Sequence, residues 1–179
     1  IREKEFINNK EIIDSKLSLV DEKKEYNGSK NEILKKYSLN IDILKENFDK
    51  ETYKEIDSLV QEMKKSNLFS DKERQYFEAD KNRIFNEIVR NNNQKIETIF
   101  DKFYDSDKSY IEKYIGMNKL RNDLRTNKKK FDPEFANVPE YILKAQNLLN
   151  EYKEKAKEEI TILGGNPEYI FYLKFRADT

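Results

Sequence analysis

Glycine and proline are scarce in this chain, and their scarcity constrains the fold more than any other feature of the sequence. Only four glycines and three prolines occur among 179 residues. Because these two residue types interrupt regular structure, a chain with so few of them is expected to form few and long elements. Charged side chains make up 39% of the residues and suit the solvated face of a helix, so the long elements are predicted to be α-helices.

Apolar residues recur at helical spacing along most of the sequence. Tyr53, Ile56, Val60 and Met63 follow one another at intervals of 3, 4 and 3 residues, which is typical of a helix with one apolar face. The same reasoning predicts helices over about 3–25, over 29–48 as two short helices or one kinked helix, over 49–66, over 71–104, between 107 and a long loop at 127–138, from 138 to about 163, and over a short stretch after 166.

Several helix ends carry capping signals. Ser29 and Ser70 each stand three residues before a glutamate, which is the capping-box pattern of a helix start. Asn40 is expected to cap a short helix, and Pro139 suits the first turn of another. Gly164 and its glycine neighbour predict the end of the helix that Pro139 opens.

Three consecutive asparagines, 91–93, stand in the middle of the longest predicted helix. Asparagine is a mediocre helix former because its side chain competes for backbone hydrogen bonds. A bend or break at this point is the alternative to one continuous helix over 71–104. We favour the continuous helix, since apolar residues keep to one face on both sides of the asparagines.

The last predicted helix is apolar on nearly every side. Five consecutive apolar residues occupy 169–173. A helix that is apolar all round is usually buried, so this segment is expected to plug the core. The alternative is an exposed docking patch.

Together these patterns predict an all-α protein that forms one domain over residues 1–179, built as a bundle of about six to seven helices. A chain of this length buries about 70% of the surface that its unfolded form exposes, so its core needs neither disulfides nor metal. Eleven Phe and eleven Tyr side chains are present. Each can bury about 150–250 Å², and they are expected to fill much of the core.

Histidine and cysteine are absent from the sequence. Without them the chain has no Ser-His-Asp or Cys-His relay and no zinc site of nitrogen and sulfur ligands. Its glycines do not stand at the spacings of the common nucleotide-binding loops. Carboxylates are frequent but mostly neighbour lysines, as expected for ion pairs on solvated helix faces. We therefore expect a protein that is not an enzyme, with no catalytic residues, no metal and no cofactor.

One short pattern invites comparison with a calcium-binding loop. Asp105, Asp107 and Ser109 place oxygen atoms at its first, third and fifth positions. The sixth position is Tyr110, where the loop needs glycine, and the twelfth is Gly116, where it needs a bidentate glutamate. An ordinary helix cap is therefore the better interpretation.

One segment concentrates positive charge, although the whole chain is neutral. The 35 Lys and Arg side chains balance 35 Asp and Glu. Between residues 119 and 130, however, six cations accompany one carboxylate, Asp123, for a net charge of +5. The six cations, named the basic lobe below, are Lys119, Arg121, Arg125, Lys128, Lys129 and Lys130.

Two interpretations of the basic lobe are open. Its charge could bind a sulfated glycan, a phosphate group or an acidic partner. Alternatively, it is a solvated helix end whose cations are favoured by the C-terminal helix dipole. Nucleic acid is not an expected partner, because no aromatic stacking pattern or known binding motif accompanies the cations.

The texture of the sequence resembles a known group of surface proteins. The helices are rich in Asn, Lys and Ile, and the chain has neither Cys nor Trp. Tyr37-Ser38-Leu39 runs into Ile41-Asp42, and the stretch 48–63 follows. These features resemble the helical outer-surface lipoproteins of Borrelia spirochaetes, in the paralogous families that include the complement-regulator-acquiring proteins. The resemblance implies a bundle of about five to seven helices, tethered to the outer membrane by an N-terminal lipidated cysteine and displayed to host or tick molecules.

The expected function is that of a binding module on a bacterial cell surface, which engages a host or vector protein or a sulfated glycan. The chain begins at Ile1 without a tether cysteine, so contact with the membrane is expected only through a lipid anchor upstream of it. One alternative is a carrier of an apolar ligand such as a fatty acid, held between aromatic-rich helices. Another is a structural spacer or oligomerisation domain of a larger intracellular protein. The sequence leaves the oligomeric state open.

Overall fold

Helices make up most of the chain that the computed structural model describes, which comprises Ile13 and residues 28–47, 49–104 and 106–173. No β-strand occurs within these residues, so the all-α prediction is confirmed. The helices are α1 (Gly28–Asn47), α2 (Lys50–Lys65), α3 (Asp71–Tyr104), α4 (Tyr110–Thr126), α5 (Val138–Ile162) and a 3-10 helix at Pro167–Tyr169. The helix predicted over about 3–25 lies outside the described residues, except that Ile13 is helical and buried.

The chain divides into two compact units, Ile1–Asn91 and Asn92–Thr179. Helix α3 contributes residues 71–91 to the first unit and 92–104 to the second. Single-domain organisation, which the sequence favours, stays a prediction.

In the first unit, the core depends on aromatic side chains and on one face of each helix. The rings of Tyr37 and Phe77 meet edge to face with 5.0 Å between their centroids, and Phe69 packs on the same Phe77 ring at 6.4 Å. Edge-to-face pairs of this kind add to the free energy that burial alone provides. The buried residues of α2 are Thr52, Ile56, Leu59, Val60 and Met63, which include three of the four members of the apolar stripe seen in the sequence.

Helix α1 is a single continuous helix, in agreement with the one-helix alternative over this segment, but two cap predictions within it are wrong. The helix begins at Gly28, so Ser29 is its second residue and the capping box predicted at Ser29 is wrong. Asn40 was expected to cap a second short helix but lies within α1, where its Nδ2 donates to the Lys36 carbonyl oxygen at 2.9 Å. The Asn40 side chain thus bonds the preceding turn of its own helix and does not cap a new one.

The capping box predicted at the start of α3 is present. The Ser70 hydroxyl accepts from the Glu73 N–H at 3.1 Å, and the Glu73 carboxylate accepts from the Ser70 N–H at 3.0 Å. Lys30 of α1, which is buried, also pairs with Glu73 at 3.0 Å. Although burial by itself would raise the pKa of Glu73, the hydrogen bonds from Ser70 and Lys30 outweigh it and lower that pKa. The cap thus also joins α1 to α3 within the first unit.

The second unit is built on α4 and α5, which pack against each other. Phe100 of α3 stacks on Tyr141 of α5 with 5.9 Å between ring centroids. The Nζ of Lys144 lies 4.7 Å from the centre of the Phe100 ring and pairs with Glu97 at 3.0 Å. These contacts fix the C-terminal part of α3 on α5.

Helix α5 begins and ends where its sequence signals predict. Pro139 lies in its first turn. The helix ends at Ile162, and Gly164 follows with a φ of 86°. This left-handed conformation favours glycine, and the Gly165 N–H then donates back to the Ile160 carbonyl oxygen at 2.9 Å.

The C-terminal segment is only partly buried. After the 3-10 helix, residues 170–173 form a helical turn. Ile170 and Leu173 are buried in the core of the second unit, whereas Tyr169, Phe171 and Tyr172 are exposed. The prediction that this segment plugs the core is therefore correct for two of these five side chains and wrong for three, because only one face of a helix packs against the core.

One carboxylate is fully buried in the first unit. Asp80 is 0% exposed, and the Tyr37 hydroxyl donates to its Oδ2 at 2.7 Å. The Nη1 of Arg83 lies 3.9 Å from the other oxygen, Oδ1. Burial raises the pKa of Asp80, and the hydrogen bond from Tyr37 and the charge of Arg83 offset this only in part. The hydrogen bond from the Tyr37 hydroxyl therefore stabilises the Asp80 carboxylate, whose burial is otherwise unfavourable.

We expect Tyr37→Phe to lower the free energy of unfolding by about 1–3 kcal/mol at pH 7, because it leaves a buried carboxylate oxygen without its donor. The raised pKa gives the sign of the pH dependence. Between the unfolded and folded pKa values of Asp80 the folded state binds more protons, so its ionisation costs stability as the pH rises. The deficit of the variant should therefore shrink as the pH falls through the folded pKa.

Urea unfolding at several pH values checks this expectation. Tyr172→Phe is the matched control, since it removes a hydroxyl from a side chain that is 68% exposed. Equal losses in the two variants, or a deficit that grows in acid, would contradict the assigned role of Tyr37.

Candidate functional site

The basic lobe lies on α4 and on the turn that follows it. Ser109 caps the start of α4, where its hydroxyl accepts from the Glu112 N–H at 3.2 Å. The helix ends at Thr126, and the N–H of the cap residue Asn127 donates to the Asp123 carbonyl oxygen at 2.8 Å. Residues 128–130 then form a turn, in which the Lys130 N–H donates to the Asn127 side chain at 3.1 Å.

Five of the six cations are exposed to solvent, and one is not. The exposed ones are Lys119, Arg125, Lys128, Lys129 and Lys130. Arg121 is half-buried, and its guanidinium donates to Gln146 of α5 at 2.9 Å and to Asn118 at 3.4 Å. Arg121 is therefore engaged with its own protein, whereas the other five present their charges to the surroundings.

Helical geometry divides the lobe further. Arg121 and Arg125 are one turn apart and share a face of α4, which leads towards the lysines of the turn. Lys119 precedes Arg121 by two residues, and residues two apart do not face each other on a helix. The exposed charge thus concentrates at the C-terminal end of α4, with Lys119 set apart from it.

Carboxylates do not neutralise this concentration of charge. Among the described residues, none forms an ion pair within 4.0 Å with any of the six cations. The two acids nearest in sequence after the lysine run are Asp132, which is half-buried, and Glu134, which is exposed. Arg125 also lies in the last turn of α4, at the negative end of the helix dipole, which favours a cation there.

The segment that follows the lysine run is held firmly. Phe131 and Phe135 are 3% and 5% exposed, and the Nζ of Lys130 lies 5.3 Å from the centre of the Phe131 ring. From α3, the Nδ2 of Asn92 donates to the Phe135 carbonyl oxygen at 3.1 Å. The Asn137 N–H donates to the Oδ1 of Asn93 at 2.9 Å. The loop is thus fixed by its own aromatic residues and by two asparagines of α3.

The contacts of these asparagines with the loop are the structural feature of the candidate site that the sequence did not reveal. The run 91–93 was considered as a possible break in α3, and the prediction of a continuous helix is confirmed. Side chains that bond a neighbouring loop no longer compete for the hydrogen bonds of their own helix, which explains why the helix tolerates them. A polar run on the face of a helix opposite a long loop is the signal that could have suggested the contact.

The two buried carboxylates of the described residues, Asp80 and Glu87, each have a bonded partner on one oxygen. Asp80 accepts from Tyr37, and the Oε1 of Glu87 pairs with Arg90 at 2.6 Å. No group of three or more acidic side chains in the described ranges could hold a metal ion. Of the calcium-loop pattern, Ser109 is a helix cap, Asp107 is exposed and Asp105 lies outside the described residues.

Within the part of the chain that the structure describes, no helix is both long and apolar enough to cross a membrane. No protein-family model matches the sequence, and neither a curated protein nor a solved structure matches it.

We expect Asn93→Ala to loosen the loop that carries the lysine run. The substitution removes the acceptor of the Asn137 N–H, and a net hydrogen bond of about 0.5–1.5 kcal/mol corresponds to roughly 2- to 10-fold faster exchange of that amide hydrogen. Hydrogen exchange followed by NMR measures the rate residue by residue.

Gln94→Ala is the control, because its side chain is exposed and the substitution also raises helix propensity, although by less than Asn93→Ala does. The anchor assigned to Asn93 would be wrong if the Asn137 amide exchanged at the parent rate in Asn93→Ala, or equally faster in both variants.

Proposed function

We propose that the protein is a non-enzymatic binding module of a bacterial outer surface, which engages a sulfated glycan of a host or vector through the basic lobe. The observation that carries this proposal is the exposure of five cations of the lobe without a carboxylate partner among the described residues. Unpaired, solvent-facing charges attract a polyanion without first having to break internal ion pairs.

The form of the lobe favours a sulfated glycan over a folded acidic protein. Lys128, Lys129 and Lys130 are consecutive in a turn, and lysines act as flexible point charges that adapt to a chain of anionic groups. Exposed aromatic residues usually anchor a protein interface. The aromatic residue next to the lysine run, Phe131, is buried and cannot serve as such an anchor. An acidic protein partner is the other outcome of the test.

The resemblance to spirochaetal outer-surface lipoproteins supports the cellular part of the proposal. It implies that an N-terminal lipid holds the domain on the outer membrane, facing outward. A helical domain with a polar exterior and a local cationic surface suits that position. The carrier of an apolar ligand and the intracellular spacer stay predictions from the sequence, and no observation on the described residues favours either.

Heparin affinity chromatography tests the binding part. We expect the parent protein to be retained and to elute as salt screens the lobe. Lys128→Gln, Lys129→Gln and Lys130→Gln combined should weaken binding about 10-fold, since each exposed ionic contact contributes about 0.2–1 kcal/mol. The matched control is Lys35→Gln, Lys36→Gln and Lys45→Gln, which removes the same charge from exposed positions of α1.

If heparin retention falls equally in both triple variants, net charge alone explains the loss, and specific binding at the basic lobe is contradicted. If the protein is retained on a column of an immobilised acidic protein but not on heparin, the partner is an acidic protein and not a sulfated glycan.

The surface location predicts that the protein is degraded when intact cells of its source are treated with a broad protease. A cytoplasmic marker in the same cells should survive, because the protease does not cross the envelope. Immunodetection after treatment measures both. Survival of the protein until the cells are lysed would contradict display on the outer surface, while leaving the heparin result unaffected.

A further inference from the structure

A small pocket lies within the second unit, between α4, α5 and the C-terminal turn. Its volume is about 150 Å³, well above the roughly 10–15 Å³ that a single water needs. Arg121 and Asn118 reach it from α4, and Gln146, Asn150 and Lys153 reach it from α5. Phe171 of the C-terminal turn forms part of its wall.

Two amides hold Arg121 at this pocket. Its Nη1 donates to the Oε1 of Gln146 at 2.9 Å, and its Nη2 donates to the Oδ1 of Asn118 at 3.4 Å. Asn118 is only 1% exposed, and its Nδ2 donates to the Tyr114 carbonyl oxygen at 3.2 Å. The amide of Asn118 is therefore fixed, and it fixes the guanidinium in turn.

Two of the three side-chain amide oxygens that line the pocket, those of Gln146 and Asn118, already accept a hydrogen bond from Arg121. Because Gln146 and Asn118 both accept from Arg121 through their oxygens, the Gln146 nitrogen remains available to donate. A guanidinium carries five N–H groups, and these two bonds use only two of them. The Nε of Arg121 is buried and has no acceptor among the described residues, which is unfavourable unless another group accepts from it.

Lys153 supplies a second cation. It is half-buried, and its Nζ lies 5.8 Å from the centre of the Phe171 ring. No side chain that lines the pocket is Asp or Glu. No carboxylate of the described residues forms an ion pair with either cation. Two cations and several amide donors therefore line a small space whose side chains include no carboxylate.

We propose that this pocket binds a single oxyanion group, the sulfate or carboxylate of a small ligand or of a larger chain, between Arg121 and Lys153. The guanidinium offers the planar set of donors that matches an oxyanion, and the ammonium adds a second charge-assisted hydrogen bond. Asn118 and Gln146 act as positioning residues for Arg121. The site goes beyond the proposed function, because it needs neither the lysine run nor a polyanionic chain.

Titration of the full chain with sodium sulfate and, separately, sodium acetate tests the proposal. Sodium chloride of equal ionic strength serves as the reference. NMR signals of the Arg121 Nε–H and of the Gln146 and Asn150 side-chain amides report on the pocket directly. We expect saturable shifts of these signals with one dissociation constant, which are absent in chloride. Shifts that rise linearly and equally in chloride would overturn the proposal.

Substitutions make the test specific. Lys153→Gln should raise the dissociation constant about 10-fold, which is the scale of one charge-assisted hydrogen bond. Lys157→Gln, one turn further along α5 and outside the lining of this pocket, is the matched control and should leave the constant unchanged. An unchanged constant in Lys153→Gln would also overturn the proposal, and this variant avoids the risk that replacing the half-buried Arg121 unfolds the protein.

The two anions distinguish the source of the group. Tighter binding of sulfate would assign a sulfated group, and tighter binding of acetate would assign a carboxylate. The combined Lys128→Gln, Lys129→Gln and Lys130→Gln variant separates this site from the proposed function. It should lose heparin retention and keep the dissociation constant of the pocket, so each proposal can fail without the other.

Discussion

Two asparagine side chains of α3 hold the loop that follows the basic lobe. Asn92 and Asn93 bond the backbone of the loop between α4 and α5 at Phe135 and Asn137. Ordering a loop of this length costs conformational entropy. Hydrogen bonds within the loop and the two amides of α3 offset that cost, so the lysine turn is joined to an ordered segment.

Much of the fold could be predicted from the sequence, because its helix signals are local. The capping box at Ser70, the proline at 139 and the glycine at 164 mark helix ends by interactions within a few residues, and all three were interpreted correctly. Asn40 shows the limit of the same reasoning. A side chain that can cap a helix can also bond the turn behind it, and only the course of the whole helix decides between the two.

The candidate site was harder to predict, because it depends on contacts that are distant in sequence. The cations could be found by counting charges, but the count could not separate Arg121 from Arg125, which are one turn apart on the same helix. Gln146 is 25 residues away from Arg121 in the sequence and accepts a hydrogen bond from its guanidinium. Arg125 remains exposed. Likewise, the bonds from α3 to the loop span 43 and 44 residues, and no local pattern records them.

The residues that anchor the loop are different from those that give it its positive charge. Phe131 and Phe135 are buried, whereas Lys128 and Lys129 make no ion pair with the described residues and face solvent. Replacements at 128 and 129 therefore cost the folded state little, while replacements at the two aromatics would expose or empty part of the interior. Such a division lets the outward side chains change in sequence while the buried framework of the loop stays intact.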